Sequence, residues 1–244
     1  MIVEASEFNF KASPEIARAR RVLIKPAASY PVPYPVTTSP EMITRIIEGI
    51  REVSDADILI LEGTPGGGPI YPIYQSLAYN FPRVLMLDVK DCIWVEVDNP
   101  LPKPFAVPTF WIPNVVLSSD YLITLSTLRV INGRPEFSIN NLLSVLPSTK
   151  YGNRSSTGWD SLYSLGIDKV LADLYFTLPF DLGIIEAQQK FTGKNYQMNQ
   201  GAVESCGKLI YGEPFEIDNE ACELLGLQSE FIDLIKVSRV GFEA

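Results

Sequence analysis

The chain has 244 residues, 46% of them hydrophobic, which suits one large domain with a substantial core. Its 20 Lys and Arg stand against 29 Asp and Glu, and the resulting formal charge of −9 repels a nucleic-acid backbone unless the cations are segregated. Histidine is absent, which excludes Ser-His and Cys-His nucleophilic pairs, a histidine base and histidine-held zinc or iron, and leaves proton transfer to carboxylate, Lys, Tyr, Cys or water.

Arg21 to Lys25 (RVLIK) is a short apolar run that stops at Pro26, and Pro31, Pro33, Pro35 and Pro40 follow. This pattern predicts a strand and then a semi-rigid extended arm. Thr38 or Ser39 as N-cap, Pro40 in the first turn, Glu41 at the positive end of the dipole, and Ile43, Ile46, Ile47, Ile50 and Val53 at helical spacing predict a helix with one buried face. The continuous apolar run Asp57 to Leu61 (DILIL) suits a strand covered on both sides. The glycine-rich stretch Glu62 to Pro69 (EGTPGGGP) then leads into a predicted helix around Tyr71 to Asn80 and a second buried-type strand, Arg83 to Asp88. Strand, helix, strand, helix, strand implies right-handed crossovers in a parallel sheet.

Cys92 to Val97 alternates less cleanly, and Asn99 to Pro108 (NPLPKPFAVP) is too rich in proline for a central strand, so residues 91–112 read as an edge hairpin or arm. Tyr121 to Leu125, Leu182 to Ala187 and Lys208 to Gly212 read as further strands. Helices are expected near Ser138 to Leu146, Ile167 to Leu178, Ile217 to Leu225 and Glu230 to Val237. Pro147 to Gly158, polar and rich in small residues, reads as a mobile loop. The expectation is a single α/β domain over residues 1–244: a mostly parallel sheet flanked by helices, with a proline-rich edge hairpin or arm.

Cys92, Cys206 and Cys222 are odd in number and share no C-x-x-C spacing, so they read as buried thiols, and neither cofactor nor metal is expected. No apolar run has the length to span a bilayer, and MIVEASEFNF lacks a signal-type core; a soluble, cytoplasmic chain is expected, without membrane or nucleic-acid partners and with a homo-oligomer left open.

Parallel sheets bind ligands beyond the carboxyl ends of their strands. That edge would receive Lys25, Glu62 to Gly68, Asp88, Lys90, Ser126 to Arg129 and Glu186 to Lys190, with Arg134, Lys150, Arg154 and Lys194 in neighbouring loops. Gly66, Gly67 and Gly68 let backbone N–H groups curl around an anion, although neither G-x-x-x-x-G-K-[ST] nor G-x-G-x-x-G is met and Pro65 removes a donor. The same glycines equally serve a tight strand-to-helix turn. Lys25, a cation ending a buried strand, needs an anionic partner; Glu62 in a structural pair and a bound substrate both answer.

RVLIKP, TTSPEMITRIIEGIRE, DILILEG, YLITL, LGIIEA and EPFEIDNEACELLGL, in that order, resemble the family known as domain of unknown function 362, a domain sometimes present in iron–sulfur proteins. The resemblance runs from about Arg21 to Leu227. It matches Lys25-Pro26 to the family's strand-end Lys-Pro, Thr37, Thr38 and Pro40 to its Thr-Thr-x-Pro, Glu62-Gly63 to its Glu-Gly turn, and Asp218 to the Asp opening a late helix. Where the family carries Lys-x-Lys-Thr-His, this chain has Thr127 to Ile131 with one cation, Arg129; where the family continues Asp-Gly, it has Gln188-Gln189-Lys190. The resemblance thus implies an inherited fold with altered site chemistry. Two functions are expected to compete. In one, a small anionic ligand is held by Lys25, Thr38, Gly63, Gly66, Gly67, Gly68, Arg129 and Arg134, with Glu62 or Glu186 as proton carrier. In the other, the chain is an accessory protein docking through its proline-rich arms.

Overall fold

The computed structural model describes residues 1–152, 158–194 and 197–242, the last three without side-chain detail. In chain order the elements are β1 (Ile2–Glu4), α1 (Pro14–Arg18), β2 (Arg21–Pro26), α2 (Pro40–Arg51), β3 (Asp57–Glu62), α3 (Tyr71–Ser76), β4 (Val84–Asp88), β5 (Trp94–Asp98), β6 (Thr109–Pro113) and α4 (Asn114–Leu117). There follow β7 (Tyr121–Ile131), β8 (Arg134–Glu136), α5 (Ser138–Asn141), α6 (Ser148–Tyr151), α7 (Asp160–Ser164), α8 (Ile167–Thr177), β9 (Leu182–Gly193), β10 (Gly201–Gly212), α9 (Pro214–Leu225) and α10 (Glu230–Phe242).

The main sheet has the order β1-β10-β9-β7-β2-β3-β4, with β8 paired to β7. β4, β3, β2, β7 and β9 are mutually parallel, and the hairpins β7–β8 and β9–β10 add antiparallel pairs. Because residues alternate between faces, an apolar run sandwiched by helices buries both sets. Val22, Ile24, Ile58 and Ile60 pack under α2 against Ile43, Ile46 and Ile50, whereas Leu23, Leu59 and Leu61 face Phe110, Leu142, Leu146 and Leu174. Ser39 caps α2 by accepting from the Met42 N–H, with Pro40 in the first turn.

The proline-rich region forms a hairpin, as expected, with β5 and β6 paired antiparallel. β5 and β6 form a separate two-stranded sheet that lies over one face, with Phe110 and Ile112 fully buried. The Asp173 carboxylate pins their connection by accepting from the N–H groups of Phe105, Ala106 and Val107. The first arm is also tied down: the Tyr34 hydroxyl accepts from Gln189 N–H, and Val36 packs on Ile131, Phe191 and Met198. Within the expected mobile loop, Ser148–Tyr151 form α6, while residues 153–157, including the candidate Arg154, lie outside the described residues. No helix among the described residues is long and apolar enough to cross a membrane.

Candidate functional site

The chain runs from β2 to β3 to β4 in one direction across the sheet, and β7 and β9 lie on the other side of β2. The strand order therefore reverses between β2 and β7, and the diverging connections open a crevice at their carboxyl ends. β2 stops at Pro26 opposite Leu125, while β7 runs on to Ile131 and turns into β8. A small cleft, open to solvent, occupies this position. The segment after β2 (Ala27 to Tyr30) lines it together with Pro65 after β3, Arg129 of β7, Glu136 of β8, Asn140 and Asn141 of α5, and Trp159 and Tyr163.

Beneath the cleft lies a closed polar network. Lys25 and Glu62 are fully buried, with Nζ 3.0 Å from Glu62 Oε2. The ammonium also donates to Pro26 O at 2.8 Å and Asn141 Oδ1 at 3.0 Å, so its three protons are used. Glu62 accepts further from Ala28 N–H at 2.7 Å and Gly63 N–H at 2.9 Å. Burial pulls the Lys25 pKa below its ordinary value, against the pull of the Glu62 charge. Asn141 closes the network by donating to Lys25 O and Thr124 Oγ1, and Thr38 bridges Ala27 N–H and Leu125 O. Asp218, fully buried, accepts from Ser138 N–H and Oγ and from Ile139 N–H, which fixes the α5 turn that carries Asn140 and Asn141. Burial raises its pKa to about 7.

The other candidates distribute unevenly. Glu186, nearly buried, receives Ser39 N–H and Oγ at the start of α2; burial lifts its pKa to about 7, and it does not line the cleft. The glycine loop closes on itself: Gly67, at φ +66°, donates its N–H to Thr64 O, and Thr64 Oγ1 donates to Gly68 O. At the start of α3 the anion is the protein's own, since Asp88 accepts from Ile70 N–H at 2.9 Å and from Lys90 N–H. Gly63 allows close approach of the backbone, because a Cβ there would lie 2.6 Å from Ser144 O. Arg129 reaches the cleft and pairs Nε to Glu136 Oε2 at 3.0 Å, with Nη1 on Val36 O. Arg134 does not reach it, being held at the surface by Asp168 at 2.8 Å. Lys150 lies over the Trp111 ring, and Lys194 flanks the β9–β10 turn. No group of three or more Cys, Asp or Glu suited to a metal occurs among the described residues.

The family model for the domain of unknown function DUF362 matches residues 22–223. The chain belongs to the DUF362 family. No curated protein matches its sequence. Among solved structures, its fold is similar to the lactate racemase apoprotein from Thermoanaerobacterium thermosaccharolyticum, with a TM-score of 0.55 and 12% identity over 89% of this chain and 52% of the other. The chain thus spans about half the length of that protein. Of the residues matched to DUF362 from sequence, Lys25, Pro26, Thr38, Glu62, Gly63 and Asp218 fall in the frame under and beside the cleft, while Thr37 bonds within the first arm and Pro40 opens α2.

Glu136, Asn140, Asn141, Trp159 and Tyr163 were not among the sequence candidates. One signal was available: Asn132-Gly133 takes positive φ at both residues and turns β7 back into β8, bringing Glu136 opposite Arg129. No local pattern marks Trp159 or Tyr163, whose place depends on how α7 packs.

Proposed function

We propose that this DUF362 chain binds a small organic anion carrying a carboxylate, in the cleft between the ends of β2 and β7. Arg129 supplies the grip, and Lys25, Thr38, Glu62 and Gly63 hold the walls. The observation that carries this reading is the coincidence of the cleft with the reversal of strand order, with Arg129 the one cation among its described lining residues. Asn140, whose side chain makes no hydrogen bond among the described residues, adds an amide beside it. The fold likeness to a lactate racemase makes lactate the first carboxylate to try.

Lys25 and Glu62 are assigned to the frame because their bonds are already made. Gly66 to Gly68 are assigned to the turn. The test is a thermal-shift and calorimetric screen of small carboxylates, with inorganic phosphate alongside. A ligand at about a hundred times its dissociation constant should stabilise the chain by roughly 2.7 kcal/mol, about 5–10 °C at this size. Arg129→Gln should abolish the shift. Full retention of binding in that variant would move the ligand elsewhere.

A further inference from the structure

The charges that line the cleft come as a pair. Arg129, with its side chain 11% exposed, and Glu136, 7% exposed, share one contact, Nε to Oε2. Each has a second polar end: Arg129 Nη2 donates to nothing, and Glu136 Oε1 accepts nothing, among the described residues. The Glu136 side chain is mostly enclosed, so a donor brought by a ligand to its second oxygen acts where water competes little. The described lining therefore offers an anion-seeking group and a cation-seeking group side by side, one charge of each sign.

A plain monoanion answers half of this. It would satisfy Arg129, bring no donor to Glu136, and set a second negative charge beside that carboxylate in a chain whose formal charge is already −9. A zwitterion answers both, with its carboxylate against the guanidinium and its ammonium against Glu136, so that four charges alternate in sign. The aromatic rings of Tyr30 and Trp159 on the same walls suit an ammonium or a small apolar side chain. Resting on the reading of this cleft as a carboxylate site, we propose that its ligand is a small α-amino acid, with Glu136 the residue that selects the ammonium.

Calorimetric titration of the full chain with four matched compounds tests this: alanine, lactate, propionate and ethylamine. Alanine should bind at least about tenfold more tightly than propionate, since a charge-assisted hydrogen bond is gained, with lactate between them and ethylamine weakest. Glu136→Gln should bring alanine and propionate within about twofold of each other by removing the acceptor charge. Should that variant fail to fold because Arg129 is stranded, the ranking on the unmodified chain decides the matter. The double variant Arg129→Gln with Glu136→Gln, which strands no charge, should bind neither compound. Propionate binding as tightly as alanine would overturn the amino-acid assignment while leaving the carboxylate site standing. If none of the four binds, both fall.

Discussion

Glu62→Gln should destabilise the protein more than Lys25→Met, and the double variant should be less damaged than the sum of the two. Glu62 takes three donors, Lys25 Nζ, Ala28 N–H and Gly63 N–H, at 2.7–3.0 Å with no solvent access. A glutamine there has one acceptor oxygen and an NH2 that meets a donor in either orientation, while the Lys25 charge loses its counter-ion. Stranding a buried charge in this way costs about 3–5 kcal/mol. Lys25→Met removes the ammonium and leaves the Glu62 carboxylate on two backbone N–H groups. The vacated acceptors are Pro26 O and Asn141 Oδ1, so this loss should be smaller by at least about 1 kcal/mol. In the double variant no charge remains unpaired, and the coupling recovered should be on the order of 2–3 kcal/mol. Urea unfolding of the four proteins at one pH measures all of these terms. Near-zero loss in both single variants, or strict additivity in the double, would refute a buried, mutually dependent pair.

The glycine loop predicts a graded series. Gly63→Ala should be the most damaging because of the 2.6 Å approach to Ser144 O, and Gly67→Ala should cost about 1–2 kcal/mol for its left-handed φ; Gly66→Ala and Gly68→Ala, with open space around both, should stay within about 0.5 kcal/mol of the parent in urea melts. A pH series addresses Glu186, whose folded pKa of about 7 lies above its ordinary 4.5 because of burial. Between those values the folded state holds a proton that the unfolded chain has released, so this group's contribution to stability is present at low pH and declines as pH rises from about 4.5 to 7. Glu186→Gln should flatten that segment of the stability curve; an unchanged slope would mean that the carboxylate is not desolvated in solution.

Much of the sheet was legible locally. The runs at Arg21 to Lys25 and Asp57 to Leu61 are apolar at consecutive positions, as a strand with both faces covered requires, whereas Arg83 to Asp88, expected to be of the same buried type, forms the edge strand β4 with Leu85 57% exposed. The start of α2 was equally legible, because an N-cap and a first-turn proline act on their nearest neighbours. The pairing of Lys25 with Glu62 could be named as one of two alternatives, since each ends a strand in a parallel unit. What surrounds that pair could not. β7 and β9 extend to Ile131 and Gly193, through residues whose strand character depends on pairing with each other and with β10 rather than on their own propensity. The acceptor at the start of α3 is Asp88, and the acceptor that pins the proline-rich connection is Asp173; both are carboxylates distant in sequence from the N–H groups they satisfy. The sequence by itself determined the central strands β2 and β3 and the buried face of α2, because hydrophobic periodicity is a local consequence of geometry, but not that β4 lies at the sheet edge. Only the tertiary structure decided which polar groups are already satisfied, like Lys25 and Glu62, and which come together at the cleft, like Arg129 and Glu136, because hydrogen-bond partners are set by long-range register.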